Sequence, residues 1–589
     1  MQELKAQGKY PGEEGEEDDD DNDEEGDSDE SESSLSENNC KPRDYIGCVV
    51  VKYVEALENE DLGITPLMAV SKILDRFSSI RDVHLVRSSS SSSTNGDATD
   101  EGQAVHVIDL LLENNGESEK MTAPMLPSPG DTVEILVPND NDTSSSGRVG
   151  EVEKLCSRLG VSPDQWCELH RSPFVPPDHF PPWLPLRRRI QIRTLFAYFV
   201  DINSSGYLLR PTFFQTLLRI ATSSKDTQFA ADTTGKDLGS IELLETCASK
   251  EVAPFVYKTV MNNGAPLCYP RLIDMLDIFP FIRLPIARLL EVSGPLRPRK
   301  FSVVDYTTRD SSAGTCLRSV QLCLRSVDIT EKKRSGDTGG EKKSDAVHVL
   351  AGLLRDAASR RQSINGSPGH VFTGHASHPL CNFSSRPHKI PMYAGTKLFD
   401  TTPFAKGLKG ALLRLATQPM TTAATFPAMI LVGAGTGIAP LVSVVHELLR
   451  QRQAGMWSEV KNPGCWVIYG ARNLAELVFH KQLQEALKLN VISRYDVALS
   501  RSNEQVYPKY VTDVLDSHAD VLRSALLEND AQLFVCGPVT VLRSLRRRLM
   551  DHILASSDDD ESMREQRVLL LEKKGQLMFD VWGTVNVFE

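Results

Sequence analysis

Residues 429–449, MILVGAGTGIAPLVSVVHELL, have the pattern of an apolar strand that passes through three glycines into a helix. Glycine lets the backbone approach a pyrophosphate closely, and the start of the following helix presents unpaired N–H groups with a partial positive charge. The same pattern also occurs in tight strand-to-helix turns that bind nothing. Because the segment opens a region of alternating strands and helices, a nucleotide-binding loop is the favoured interpretation.

The alternation continues to the C-terminus. The strand-like segments AMILVG, CWVIYG, SRYDVALS and AQLFVCG are each followed by a segment with helical periodicity. This rhythm predicts an α/β domain with a doubly wound parallel sheet over residues 426–589.

Four short motifs follow the glycine loop. VIYGAR contains Arg472, and ALSRSNEQVYPKYV carries a hydroxyl and two bases, which suit a dianionic phosphate. LFVCGPVTVL contains Cys536, and KKGQLMFDVW contains Asp580 and Trp582. Taken one at a time, these features also have plainer explanations as solvated loop charges, a buried cysteine and a core tryptophan.

Together and in this order, the motifs resemble the ferredoxin–NADP reductase-type nucleotide domain of the diflavin reductases. The resemblance implies NADPH rather than NADH as the nucleotide. The NADPH-binding residues that it implies are Gly433, Gly435, Thr436, Gly437, Arg472, Ser500, Arg501, Lys509, Tyr510 and Cys536. The hydride-transfer residues that it implies are Ser302, Cys536, Asp580 and Trp582, with the tryptophan stacked on the flavin.

Residues 43–425 have the pattern of an α+β domain. Short β-rich segments such as YIGCVVVKYV, AVHVIDLLL and TVEILV predict an antiparallel β-barrel over residues 43–165 and 291–425. Helical periodicity predicts a helical insert at residues 166–290. Low-complexity or polar composition predicts loops at residues 88–93, 139–147, 331–344 and 363–388.

The segment LRPRKFSVVDY resembles the R-x-Y-S-x-x-S element of the FAD-binding barrel in the same family. The resemblance implies that Arg299 pairs with the FAD pyrophosphate, that Phe301 packs on the flavin and that Ser302 lies near flavin N5. Trp582 completes the implied FAD contacts.

The chain departs from the family pattern at two places. Asp305 replaces a small hydroxyl residue, and its carboxylate would repel the FAD phosphates unless it turns away. HVLAGLL, with His348, Leu350 and Ala351, stands where a second phosphate-binding element is usual. These departures leave open a degenerate, non-catalytic scaffold with a reductase fold.

The acidity of the chain is local. Fifteen carboxylates and no base lie within residues 13–32, so this run accounts for the whole formal net charge of −14. Its charges repel and it cannot bury apolar surface, so we expect residues 1–42 to be a disordered tail or linker. No flavodoxin-like segment is recognisable before Asp44. We therefore expect FAD and NADPH as cofactors, with FMN supplied by a separate domain or chain.

Composition indicates the compartment of the protein and excludes some classes of partner. The eleven cysteines form no C-x-x-C pair and no metal-ligand cluster, which favours a reducing compartment and predicts no metal site. The sequence has no signal-peptide pattern, no apolar run of the roughly 20 residues that span a bilayer, and no basic aromatic cluster suited to nucleic acid. We expect a cytoplasmic protein that contacts neither membrane nor nucleic acid.

The segments PGDTVEILVPND and VEKLCSRLGVSPDQWCEL, together with the compact helical insert, most resemble the branch of the family that serves cytosolic iron–sulfur assembly. The resemblance implies that a hydride passes from NADPH to FAD. Single electrons would then pass to an FMN domain or flavodoxin-like protein in trans, and on to an anamorsin-type iron–sulfur protein. A reductase that serves a haem protein stays open as an alternative.

Overall fold

The computed structural model describes most of the chain between Gly47 and Trp582. The expected tail at residues 1–42, the expected loop at residues 331–344 and the residues after Trp582 lie outside the described part. No helix within the described part is long and apolar enough to cross a membrane. The described residues are 47–55, 63–65, 68–70, 83–91, 104–114, 126–139, 150–203, 206–223, 235–261, 270–311, 314–326, 328–330, 346–364, 370–373, 375–381, 392–395, 402–417, 426–455, 464–502, 506–556 and 559–582.

The strands before residue 400 form one closed antiparallel barrel and two small sheets. The barrel order is β11-β2-β3-β8-β7-β4, and β11 closes it by pairing with both β2 and β4. These strands are β1 (Val49–Val54), β2 (Val83–Ser91), β3 (Val105–Asn114), β4 (Thr132–Leu136), β5 (Trp166–Arg171), β6 (Arg189–Gln191), β7 (Arg299–Ser311), β8 (Gly314–Arg325), β9 (Asp328–Thr330), β10 (His370–Thr373) and β11 (Met392–Gly395).

Alternation of side chains explains the barrel core. Ile108 of β3, Val133 and Ile135 of β4, and Leu322 of β8 are buried together in one apolar cluster. Successive side chains of a strand point to opposite faces, so Glu134 lies on the other face of β4. The polar side chains of β4 therefore lie outside the barrel core.

The helices before residue 420 lie mainly between β6 and β7. A large apolar cluster that includes Phe196, Phe213 and Phe214 holds this helical block together, and α8 packs on it through Leu350 and Leu354. The helices are α1 (Glu151–Leu159), α2 (Ile192–Tyr198), α3 (Pro211–Ser223), α4 (Gly235–Ala248), α5 (Ala253–Met261), α6 (Leu272–Ile278), α7 (Ile286–Val292), α8 (Ala346–Ile364), α9 (Ser377–Cys381) and α10 (Pro403–Thr417).

The predicted parallel sheet of the C-terminal domain is confirmed. Its order is β14-β13-β12-β15-β16, and every pairing is parallel. Leu431 packs against α11 and α12 on one face, whereas Ile430 packs against α13 and α14 on the other. The elements are β12 (Met429–Ala434), α11 (Ala439–Gln453), β13 (Cys465–Ala471), α12 (His480–Lys488), β14 (Arg494–Leu499), α13 (Val511–Asp516), α14 (Ala519–Glu528), β15 (Gln532–Pro538), α15 (Val539–Arg548), α16 (Glu561–Lys573) and β16 (Leu577–Trp582).

Three local predictions were wrong. β1 was expected in the barrel but pairs with β5, which in turn pairs with β6, because the pattern of a strand does not specify its distant partner. The expected loop at residues 88–93 is strand as far as Ser91, since β3 supplies a paired edge for the serine backbone. The expected loop at residues 363–388 contains β10 and α9.

Candidate functional site

The first strand of the parallel sheet ends in the glycine turn that the sequence indicated. A Cβ atom built on Gly433 would lie 2.8 Å from Cα of Ile438, so the turn has no room for a side chain there. Gly435 has a φ of +59°, in the left-handed region that favours glycine. Among the described residues outside its two chain neighbours, a Cβ atom built on Gly435 would meet only Nη2 of Arg325, at 3.6 Å. The turn therefore has free space beside Gly435, bordered by the guanidinium group of Arg325.

The turn leads directly into α11. Gly435–Ile438 forms a 3₁₀ turn, Thr436 is half-buried within it, and Gly437 is buried. From β12 the chain adds β13 and then β14 on one side of the sheet, and it then returns to add β15 on the other side of β12. The direction in which strands are added therefore reverses at β12. Ligands of open α/β sheets bind at the carboxyl ends of the strands at such a reversal.

Cys536 and Asp580 meet beside this turn. Cys536 is directly opposite Gly433 in the sheet and directly opposite Asp580 on its other side. Its thiol donates a hydrogen bond to Oδ2 of Asp580 over 3.6 Å. Burial, reinforced by the Asp580 carboxylate, raises the pKa of Cys536 well above its ordinary value, so the thiol is neutral at physiological pH. Burial also raises the pKa of Asp580.

The other two residues of the implied hydride-transfer group are less closely joined to this pair. Trp582 follows Asp580 by two residues on β16, and its backbone is opposite Pro538 of β15. Its side chain lies outside the described part of the structure. Ser302 lies on β7 of the barrel, opposite Thr132. No hydrogen bond among the described residues joins Ser302 to Cys536 or Asp580. The stacking of Trp582 on a flavin stays a prediction.

The residues expected at the 2′-phosphate lie together beyond β13 and β14. The backbone N–H groups of Ser500 and Arg501 donate to the carbonyls of Ala471 and Arg472 over 2.9 and 2.8 Å, which ties the two strand ends together. The side chain of Arg501 is exposed. Nζ of Lys509 lies 5.4 Å from the ring centre of Tyr510, which is itself half exposed and immediately precedes α13. The geometry leaves these groups accessible to a charged ligand.

Arg472 belongs to a network that sequence reasoning missed. Its Nε donates to Oε1 of Glu476 over 2.6 Å. Arg325 of the barrel donates to both oxygens of the same carboxylate, over 3.1 and 2.8 Å. The only sequence signal for Glu476 is a carboxylate four residues after the arginine, and nothing local indicates Arg325. The network joins the barrel to the nucleotide domain next to the glycine turn.

Apart from Trp582, the residues expected to bind FAD share strand β7. Nη1 of Arg299 donates to the carbonyl of Arg297 over 2.9 Å, and Phe301 is half-buried against the barrel core. Thr132, opposite Ser302, is buried, and its hydroxyl has no hydrogen-bond partner among the described residues. A buried polar atom of this kind suits a polar ligand atom close to Ser302.

Asp305 is turned towards the nucleotide domain. Its Oδ1 accepts a hydrogen bond from Arg450 over 2.7 Å, and Oδ2 lies 3.3 Å from Nδ1 of His446. Both partners are on α11, and the guanidinium group of Arg450 also lies over the ring of Tyr306. The carboxylate is therefore paired with the guanidinium group of Arg450, which offsets its negative charge and lessens the expected repulsion of the FAD phosphates.

The segment HVLAGLL lies in α8. Leu350 and Ala351 are buried against the helical block, whereas His348 is exposed. Two of the three positions thus serve packing, and neither offers a hydroxyl to a phosphate.

Comparison with known proteins identifies the C-terminal domain. Residues 431–547 match the family described as "Oxidoreductase NAD-binding domain". The match covers the glycine turn, the expected 2′-phosphate residues and Cys536. The C-terminal domain is therefore similar to oxidoreductase nucleotide-binding domains over these residues.

Three relatives extend the similarity towards the N-terminus. Human methionine synthase reductase is 24% identical over 469 residues, 77% of this chain and 56% of its own length. Nitric oxide synthase of Drosophila melanogaster is 24% identical over 315 residues, 53% of this chain and 19% of its own length. The flavoprotein alpha-component of the NADPH sulfite reductase of Vibrio parahaemolyticus is 28% identical over 260 residues, 43% of this chain and 37% of its own length.

The chain thus spans between about a fifth and somewhat more than half of the length of these relatives. The similarity supports membership of the reductase superfamily that the sequence resembles. Together with the domain match, it supports FAD and NADPH as the cofactors.

Proposed function

We propose that this chain is a flavoprotein reductase that transfers a hydride from NADPH to FAD. The observation that carries the proposal is the meeting of the Gly433 turn with the Cys536–Asp580 pair at the carboxyl ends of adjacent parallel strands. This edge is where open α/β sheets bind nucleotides.

The groups of the chain itself would place the nucleotide. The glycine turn at Gly435–Ile438 and the start of α11 would hold the pyrophosphate, because they carry the positive end of the helix dipole and Gly435 leaves room beside the turn. Ser500, Arg501 and Lys509 would bind the 2′-phosphate, which NADH lacks. We therefore expect a strong preference for NADPH.

Cys536 and Asp580 would act through position and charge. The neutral thiol can pack against a nicotinamide ring without placing a negative charge beside it. Its hydrogen bond to Asp580 fixes the direction of the S–H group. Burial makes the carboxyl group of Asp580 bind a proton more readily than an exposed one, so it carries less negative charge than an exposed carboxylate while it orients the thiol.

When bound, FAD accepts the hydride of NADPH and can release electrons one at a time. Arg299 would pair with its pyrophosphate, Phe301 would pack on the flavin, and Ser302 would lie near N5. The unpartnered hydroxyl of Thr132 and the orientation of Asp305 support this assignment.

For the electron acceptor we propose an FMN domain or flavodoxin-like protein, followed by an anamorsin-type iron–sulfur protein in the cytoplasm. The resemblance to the iron–sulfur-assembly branch supports this choice. A haem protein is the second candidate acceptor, because the sequence resemblance leaves it open. Reduction of an added FMN domain, compared with reduction of cytochrome c at the same enzyme concentration, separates the two acceptors.

The proposal is tested with the purified chain. After incubation with FAD and removal of free flavin, the protein is expected to keep a flavin absorption band that NADPH bleaches under anaerobic conditions. NADH, the matched control, is expected to bleach it far more slowly, and NADPH is expected to support ferricyanide reduction. A colourless protein that FAD does not reconstitute would instead support the rival interpretation, a non-catalytic scaffold.

A further inference from the structure

Arg325 is part of the barrel, but its side chain contacts the C-terminal domain beside the expected nucleotide site. It is the last residue of β8, yet its guanidinium group forms a bidentate pair with Glu476 of the C-terminal domain. The Glu476 side chain is only 10% exposed, so the pair is largely shielded from solvent. A bidentate arginine–carboxylate pair holds the guanidinium plane in one orientation.

The carboxylate of Glu476 is itself held in place. Its backbone N–H donates to Oδ1 of Asn473 over 3.2 Å, and its carbonyl accepts the hydroxyl of Tyr469 over 3.1 Å. The same carboxylate also binds Arg472, the arginine of the expected nucleotide site. Two guanidinium groups thus share one carboxylate, and the three side chains together carry one net positive charge.

The orientation brings Arg325 to the glycine turn. A Cβ atom built on Gly435 would lie 3.6 Å from Nη2 of Arg325, and no other heavy atom of the described residues, its two chain neighbours aside, would lie within 4 Å of it. Arg325 therefore borders the space in front of Gly435. A ligand phosphate bound by the turn would come within hydrogen-bonding reach of this guanidinium group.

We propose that Arg325 is a binding residue for the pyrophosphate of the dinucleotide and is supplied by the barrel. The inference rests on the proposed function and adds a residue to it. Arginine suits this role because its planar fork can bind Glu476 with one set of N–H groups and a phosphate oxygen with another. Binding through Arg325 would also tie the end of β8 to the nucleotide, which positions the barrel relative to the nicotinamide.

The test compares ligands with and without a pyrophosphate. NADP⁺ and 2′-AMP share the adenosine 2′-phosphate, but 2′-AMP lacks the pyrophosphate. Calorimetric titration of the full chain, which needs no flavin, is expected to show that Arg325→Gln weakens NADP⁺ binding about tenfold or more and leaves 2′-AMP binding unchanged. Arg325→Lys keeps the charge without the fork and is expected to be intermediate.

The matched control is Arg318→Gln, which removes an exposed arginine from the same strand. It is expected to bind both ligands like the native chain. An unchanged NADP⁺ affinity in Arg325→Gln would overturn the inference, as would an equal loss for both ligands or an equal effect of the control. A native chain that binds neither ligand would overturn the proposed function as well, so the two failures are distinguishable.

Discussion

Asp305 accepts a hydrogen bond from Arg450, with 2.7 Å between Oδ1 and Nη1, and this contact links the barrel strand β7 to helix α11. The two side chains are 36% and 34% exposed, so solvent weakens the attraction. We expect Asp305→Asn and Arg450→Gln, made singly and together, to show a coupling energy in urea unfolding of about 0.2–1 kcal/mol. A coupling of zero would contradict the link.

The same variants report on FAD binding. Because the carboxylate of Asp305 is turned to α11, Asp305→Asn is not expected to strengthen the binding of FAD in a fluorescence titration. Arg450→Gln releases the carboxylate and is expected to weaken FAD binding by repulsion, and the double variant is expected to restore it. A several-fold gain in FAD affinity in Asp305→Asn alone would mean that the carboxylate faces the phosphates in the native chain.

Alanine substitutions at Gly435 and Gly455 distinguish backbone strain from loss of nucleotide binding. Gly435→Ala forces a side chain into positive φ and is expected to cost about 1–2 kcal/mol of unfolding free energy, with loss of NADP⁺ affinity because the new methyl group enters the space before the turn. Gly455 has a φ of +71°, and in the described part of the chain no heavy atom outside its two chain neighbours lies within 4 Å of a built Cβ, so Gly455→Ala is the matched control. It is expected to show a similar strain with unchanged NADP⁺ affinity; a parallel loss of affinity in both variants would refute the role of the turn.

The sequence predicted the parallel sheet because the signals for its strands and helices are local. Glycine before a helix and a polar residue at a strand end need only a few neighbours to be recognised. Gly433 and Cys536 were predicted at the ends of two strands and Asp580 only within a C-terminal motif. The structure adds β16, and the parallel order puts the three residues side by side.

The contacts that sequence did not predict are long-range. Arg325 and Glu476 are 151 residues apart, and no periodicity links a strand end in a barrel to a short turn in another domain. Asp305 showed the same limit, because its residue type suggested repulsion and its partner Arg450 lies 145 residues away. Tertiary packing decides such contacts, and the partner of β1 depends on it in the same way.

Arg501 offers a test of nucleotide preference. Arg501 is exposed and follows Ser500 directly in the chain, so Arg501→Gln is expected to weaken NADP⁺ binding roughly tenfold and to change NAD⁺ binding little. The loss should shrink as salt is raised, since salt screens exposed charges. Lys481→Gln, which removes an exposed charge from α12, is the control. An equal loss of NAD⁺ binding in Arg501→Gln would show that the residue does not read the 2′-phosphate.

The protonation of Asp580 makes the free energy of unfolding depend on pH, and the direction of this dependence can be predicted. Burial raises the pKa of Asp580 above its ordinary value of 3.8, so the native state holds this proton more tightly than the unfolded chain does. The contribution is fully present below the unfolded pKa and is lost as the pH rises through the folded pKa. Asn has the shape of the protonated carboxyl group and does not titrate, so it keeps this contribution at every pH.

We therefore expect the unfolding free energy of Asp580→Asn, relative to the native chain, to increase from about pH 4 to about pH 7 in urea titrations. Asp520→Asn is the control, because the Asp520 side chain is 99% exposed and its replacement removes the same charge from the surface. Its difference from the native chain should stay nearly constant over that range. A flat profile for Asp580→Asn would mean that the carboxyl group beside Cys536 is solvated in the native state, and the proposed role of the pair in holding a proton near the nicotinamide would fail with it.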